Sequence, residues 1–104
     1  MLIVLGSVQA RAETLEEMRR EALAHVHRSR TEPGCLAHAV HMDLDDPLRL
    51  VFMERWADWD ALNAHFRVPA SVGFAKAMAR LGAQPPEMTV HEVSASHAPL
   101  AAKR

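Results

Sequence analysis

The sequence predicts an α+β domain of the ferredoxin-like type, with the order β-α-β-β-α-β and its helices on one face of an antiparallel sheet. The first observation is a set of four short apolar or alternating runs, which predict strands at 2–9, 35–43, 49–56 and 87–94. The second is helical spacing of apolar residues between the first and second runs and between the third and fourth. The 104 residues suit one small domain, expected over 1–94, with a tail over 95–104.

The first helix is expected from about residue 15 to residue 30. Its apolar stripe repeats at helical spacing through Leu15, Met18, Ala22 and Val26. Thr14 and Glu17 have the spacing of a capping box, in which both side chains bind backbone N–H groups at the helix start. Pro33 and Gly34 then interrupt the helical pattern.

The second and third strands are predicted to form a hairpin across the turn sequence Asp45-Asp46-Pro47. Alternation in the second strand separates two sets of side chains, Leu36, His38, Val40 and Met42 on one face and Cys35, Ala37, Ala39 and His41 on the other. The third strand places Leu50, Phe52, Glu54 and Trp56 on one side and Val51, Met53 and Arg55 on the other.

The second helical region is predicted in two parts. Asp58 is a suitable N-cap for a helix over 59–66, and Pro69 is expected in the linker after it. A further helix is expected over 70–81, with Gly82 as the residue that follows its end. The predicted sheet carries apolar residues on both faces, so we expect a second copy of the chain to cover the face that the helices leave open.

Composition excludes several classes of function. The net charge is −1 with no basic patch, which argues against nucleic-acid binding. No apolar run approaches the roughly 20 residues of a transmembrane helix, and the apolar N-terminus lacks the basic start of a secretion signal. The single cysteine, Cys35, cannot form an internal disulfide and is expected to act as a small hydrophobic residue. We therefore expect a cytoplasmic protein with no membrane partner.

Three short motifs follow one another along the chain: Glu32-Pro33-Gly34-Cys35, Glu54-Arg55-Trp56, and Ala61-Leu62 followed three residues later by His65. Their order resembles that of the antibiotic biosynthesis monooxygenase (ABM) domain family, in particular its quinol monooxygenase-like members. The resemblance implies a dimeric α+β barrel. It also implies an enzyme that oxidises a quinol or anthrone-like aromatic with O2 and without a cofactor.

The resemblance further implies a site between the helices and the sheet. His65 would accept a proton from a phenolic substrate, and His38 would be a second polar group in the cavity. Trp56, Phe66, Phe74 and Phe52 are the candidate substrate-binding residues, and Glu54 is expected to be a structural polar group. The alternatives are a His65 that caps its helix or fills a polar hole, and aromatic residues that simply form the core.

Metal binding is not expected from histidine spacing, although the chain has seven histidines. His25 and His27 point to different sides of a helix, and His38 and His41 to opposite faces of a strand, so neither pair aims at one ion.

Relatives carry a second histidine where this chain has Ala70. The missing histidine keeps open a non-catalytic small-molecule-binding dimer. Because a fold does not fix function, an isomerase or decarboxylase that uses His65 as a proton shuttle also stays open.

Overall fold

A computed structural model describes residues 1–99 and confirms the α+β ferredoxin-like order, with the second helix divided in two. The elements are β1 (Leu2–Gln9), α1 (Leu15–Ser29), β2 (Cys35–Met42), β3 (Arg49–Trp56), α2 (Trp59–Arg67), α3 (Pro69–Leu81) and β4 (Glu87–Glu92). The strands form one sheet in the order β2-β3-β1-β4, and every neighbouring pair is antiparallel. The predicted hairpin of β2 and β3 is confirmed.

The core lies between the helices and one face of the sheet. A larger hydrophobic cluster includes Val8, Met18, Val26, Leu50, Phe52, Met78 and Leu81. A smaller cluster of Leu2, Val4, Trp56 and Leu62 packs under α2. The alternation of β3 follows the prediction, since Leu50, Phe52, Glu54 and Trp56 are all buried. Glu54 is therefore a carboxylate on an apolar face, which is costly unless it finds partners.

The predicted capping box is wrong. Thr14 makes no side-chain bond to the N–H groups of α1. Its hydroxyl oxygen lies 2.8 Å from the carbonyl oxygen of Leu81 and donates to it, while Glu17 pairs with Arg80 at 2.8 Å. The start of α1 packs against the end of α3, where the last carbonyls lack helical partners, so a tertiary contact replaces the local one.

The predicted faces of β2 are wrong at its first two residues. Cys35 pairs with Trp56 and Ala37 with Arg55, so Leu36 is an extra residue in a β-bulge. The bulge turns Leu36 outward, where it is 52% exposed, and brings Cys35 against the smaller hydrophobic cluster. From His38 onward the predicted alternation holds, because His38 is paired with Glu54 on the helix-facing side.

The ends of α2 and α3 confirm one cap and correct two details. The Asp58 carboxylate accepts a hydrogen bond from the Ala61 N–H at 2.8 Å, as expected of an N-cap. Pro69 is the first residue of α3 rather than part of a linker, a position where its missing N–H costs nothing. Gly82 follows α3 with a φ of −76°, so it is not a left-handed cap, and it forms a bridge to Ala10 instead.

The last strand ends at Glu92, two residues earlier than predicted. Residues 95–99 of the predicted tail add no strand, and the remainder of that tail, 100–104, lies outside the described residues. Within residues 1–99, no helix has both the length and the apolar character needed to cross a bilayer.

Replacement of Gly34 by Ala is expected to destabilise the fold. Gly34 has a φ of +81°, and a Cβ atom there would overlap the Cβ of Ala61 in α2. The left-handed conformation alone should lower the free energy of unfolding by about 1–2 kcal/mol, and the overlap should add to this. Gly73→Ala is the matched control, since no atom lies within 4 Å of its added Cβ and a helical Gly→Ala change stabilises by roughly 0.5–1 kcal/mol. Urea unfolding at one protein concentration measures the free energy of unfolding of both variants. A Gly34→Ala variant as stable as the parent would contradict the left-handed conformation of Gly34 and its close approach to Ala61.

Candidate functional site

A cavity of about 410 Å³ lies between the sheet and the three helices α1, α2 and α3, within the size range of small-molecule sites. Its apolar wall includes Phe52, Phe66, Phe74, Met78 and Met88. Its polar groups include His25, Glu54, His65 and Ser71. A wall of this kind suits a flat aromatic molecule with a few polar substituents.

Three histidines from three different elements meet beside this cavity. His25 comes from α1, His38 from β2 and His65 from α2, and all three are buried. The ring centroids of His25 lie 5.2 Å from those of both His38 and His65, and the His38 and His65 centroids are 5.7 Å apart. His65 also packs on Trp56 at 4.6 Å and His25 stacks on Phe74 at 3.8 Å, so the imidazoles lie between the two hydrophobic clusters.

His65 is oriented by Glu32. The His65 Nδ1 atom lies 2.9 Å from Glu32 Oε1. An ionised carboxylate only accepts hydrogen bonds, so Nδ1 carries the proton of the neutral imidazole and Nε2 keeps its lone pair. The ring therefore donates to Glu32 rather than capping its own helix. The sequence analysis does not predict this role, because it identifies Glu32 only as the first residue of a family motif.

His25 is held in the opposite tautomer by Arg28. The Arg28 guanidinium donates to His25 Nδ1 at 2.8 Å and to Ser71 Oγ at 3.0 Å. A guanidinium has no acceptor, so the proton of the neutral His25 ring is on Nε2. Burial, reinforced by the neighbouring imidazoles and Arg28, lowers the pKa of His25 to about 3. Sequence reasoning compared this residue only with His27, although its spacing from Ala22 already placed it on the buried stripe of α1.

Glu54 binds Trp56 and faces His38. Glu54 Oε1 accepts from the Trp56 indole N–H at 2.8 Å, and His38 Nε2 lies 3.3 Å from the same oxygen. Burial alone would raise the pKa of the Glu54 carboxyl, but His38 and the indole N–H outweigh it and the pKa lies below its ordinary value. Within residues 1–99 neither ring nitrogen of His38 has a well-aligned hydrogen-bond partner. Glu54 is therefore a buried negative charge beside the three imidazoles.

The structure brings most of the predicted site residues to one place. His65, Phe52, Phe66, Phe74 and Glu54 line the cavity. His38 and Trp56 are not among the residues that line it, although the rings of both lie close to that of His65, at 5.7 Å and 4.6 Å. Trp56 is fully engaged in holding Glu54, which leaves its indole N–H unavailable to a ligand.

Removal of Glu32 is expected to change the tautomer of His65. Two-bond ¹H–¹⁵N spectra of the metal-free protein at neutral pH should show the neutral His65 ring protonated at Nδ1. In Glu32→Ala the acceptor is gone, and the ring should populate the Nε2–H form as well. Glu17→Ala, which removes an exposed carboxylate paired with Arg80, is the control and should leave His65 unchanged. An unaltered tautomer in Glu32→Ala would show that this pair does not orient the ring.

Comparisons with known proteins agree on the family. The sequence model of the antibiotic biosynthesis monooxygenase family matches residues 1–77, which include all three clustered histidines. A solved structure of a Deinococcus radiodurans protein assigned by name to these monooxygenases superposes with a TM-score of 0.90. The two sequences are 26% identical, and the superposition covers 94% of this chain and 97% of the Deinococcus chain.

Two other relatives extend the comparison. A solved structure from Pseudomonas aeruginosa has a TM-score of 0.80 and 26% identity, over 90% of this chain and 94% of that one. An uncharacterized protein of Synechocystis is 26% identical over 93 residues, 89% of this chain, and the match spans only 63% of that protein's length. Because the family model spans most of the chain and agrees with its fold, this protein belongs to the antibiotic biosynthesis monooxygenase family.

Proposed function

We propose that the protein is a cofactor-independent monooxygenase that oxidises an electron-rich hydroxylated aromatic, such as a quinol or an anthrone, with O2. The observation that carries the proposal is the Glu32–His65 pair, which leaves one imidazole nitrogen unprotonated beside an aromatic cavity. Family membership supports the same reaction class.

His65 acts as the general base. Its Nε2 accepts the proton of a phenolic or enolic hydroxyl, and Glu32 stabilises the imidazolium that results. The Glu32 carboxylate is mostly shielded from water, since its side chain is 14% exposed, so its charge acts strongly on the ring. General-base catalysis of this kind contributes about 10²–10⁴-fold.

The substrate anion supplies the electrons for the oxygen chemistry. It transfers one electron to O2, and the resulting radical and superoxide combine to form a C–O bond. In an anthrone, the remaining C–H proton then leaves as the O–O bond breaks, which gives a ketone and water. The substrate loses four electrons and O2 gains four, with one oxygen atom in each product. The protein contributes deprotonation and confinement in a cavity from which Phe52, Phe66 and Phe74 help to exclude water.

We also propose that a second copy covers the open face of the sheet. Ile3, Leu5, Val51 and Met53 lie on the face away from the helices, and Leu5 on the central strand β1 is 44% exposed. An apolar face at the centre of a sheet favours burial in an interface, and a two-fold dimer is the simplest arrangement.

His65→Ala is expected to abolish catalysed oxygen uptake. The measurement is an oxygen-electrode trace with menadiol and a panel of anthrones, using chelator-treated protein. The rate above autoxidation should fall by about 10²-fold or more, because the base is gone. His27→Ala, an exposed histidine on α1, is the control and should keep the parent rate.

Two results would contradict the monooxygenase. One is oxygen uptake that does not exceed autoxidation for any of the substrates tested. The other is a catalysed rate of oxygen uptake that is the same in His65→Ala as in the parent protein. Anaerobic turnover that depends on His65 would instead support an isomerase that uses the same base.

Leu5→Asp is expected to convert the dimer to a monomer. A charge in the middle of the open sheet face would have to be buried without a partner in the interface. Light scattering coupled to size exclusion measures the mass. Leu23→Asp changes an equally exposed leucine on α1 and should stay dimeric. A monomeric parent protein, or a dimeric Leu5→Asp, would refute this interface.

A further inference from the structure

We propose that His25, His38 and His65 form a binding site for a divalent transition-metal ion of the zinc class, at the inner wall of the cavity. This goes beyond the proposed oxygenase, which does not depend on it. The evidence is the convergence of three imidazoles, one from α1, one from β2 and one from α2, within a buried region.

The geometry of the cluster is close to that of a three-histidine metal site. One ring nitrogen from each histidine lies within 4.8 Å of those of the other two. A tetrahedral zinc ion with Zn–N bonds of about 2.0–2.1 Å separates its ligand nitrogens by roughly 3.3 Å. Closure on an ion therefore requires each ring to shift by about 1 Å or less, which side-chain rotation can supply. Imidazole nitrogens are ligands that Zn²⁺, Co²⁺, Ni²⁺ and Cu²⁺ accept readily.

One carboxylate already orients a ring for metal binding, and a second carboxylate lies near another ring. Histidine ligands usually donate their other ring N–H to a carboxylate or carbonyl oxygen. Glu32 accepts from Nδ1 of His65, which leaves Nε2 for an ion. Glu54 lies 3.3 Å from Nε2 of His38, which leaves Nδ1. Both His38 nitrogens lack an aligned partner within residues 1–99, and coordination would satisfy a buried polar group that otherwise carries a cost.

Arg28 has an alternative partner that frees His25. Coordination of an ion by His25 Nε2 would place the ring proton on Nδ1. In the metal-free structure Arg28 donates a hydrogen bond to this Nδ1, so Arg28 would have to move away. The Arg28 Nε and Glu32 Oε2 atoms lie 3.9 Å apart, and neither has a hydrogen-bond partner in the part of the chain that the structure describes. A small movement of Arg28 would pair these atoms as it leaves His25. The two carboxylates, Glu32 and Glu54, also offset most of the positive charge of Arg28 and a divalent ion.

The position of the cluster implies an open coordination site. His25 and His65 line the cavity, whereas His38 is buried and does not line it. Three protein ligands with a vacant fourth position are typical of catalytic rather than structural zinc sites. The vacant position suits water or an anionic oxygen, such as a phenolate or carboxylate of a ligand in the cavity. A bound ion would occupy His65 Nε2, so the metal-loaded protein cannot use His65 as a base.

Cobalt and zinc titrations of chelator-treated protein test the site. Co²⁺ should give the intense visible bands of four- or five-coordinate cobalt, and Zn²⁺ should displace it at one ion per chain. His38→Gln should weaken binding by about 100-fold or more, since it removes a ligand. His27→Gln and His41→Gln, both exposed, are matched controls that should bind as the parent does.

Two outcomes would overturn the site. One is the absence of zinc binding below about 100 μM, and the other is binding that His38→Gln leaves unchanged. If His38→Gln does not fold, the imidazole ¹⁵N chemical shifts of the parent protein are measured with and without Zn²⁺. The site requires the shift of His65 Nε2 to change, and an unchanged shift would overturn it. Oxygen uptake by the metal-free protein reports on the oxygenase alone, so the two proposals can fail separately.

Discussion

The burial of three imidazoles and the Glu54 carboxylate between the sheet and the helices, beside the half-buried Glu32 and Arg28, is the constraint on which the rest of this structure depends. Such groups are tolerated inside a small domain only if they pair with one another. Glu32 with His65, Glu54 with Trp56, and Arg28 with His25 supply those pairs. The Glu32–His65 pair joins α2 to the turn before β2, and contacts of Arg28 with Ser71 and of His38 with Glu54 join α1 to α3 and β2 to β3.

The hydrophobic core is arranged around this network. One cluster packs α1 and α3 on the sheet, and the other packs α2 over Trp56. The imidazoles contact both, through Phe74 on one side and Trp56 on the other. The cavity lies where polar groups meet the apolar wall, which is why a ligand there would contact both a base and aromatic rings.

The two proposals give a single nitrogen atom, Nε2 of His65, two competing uses. In one it accepts a proton from a substrate, and in the other it binds a metal ion together with His25 and His38. Both uses rely on the same hydrogen bond to Glu32, because that bond keeps the lone pair available. The metal-free and metal-loaded proteins would then differ in chemistry without any change of fold, and the available metal would decide between them.

The sequence by itself determined what local patterns encode. These are the seven elements, the β2–β3 hairpin, the buried face of β3 with Glu54, the Asp58 cap and the motifs of the ABM family. Tertiary structure decided the contacts between elements, such as Thr14 with Leu81, the bulge at Leu36 and the Glu32–His65 pair. It also decided the histidine cluster, whose members stand 13 and 27 residues apart along the chain. Spacing rules compare residues within one helix or strand, whereas the packing of α1, β2 and α2 sets the distances between these rings.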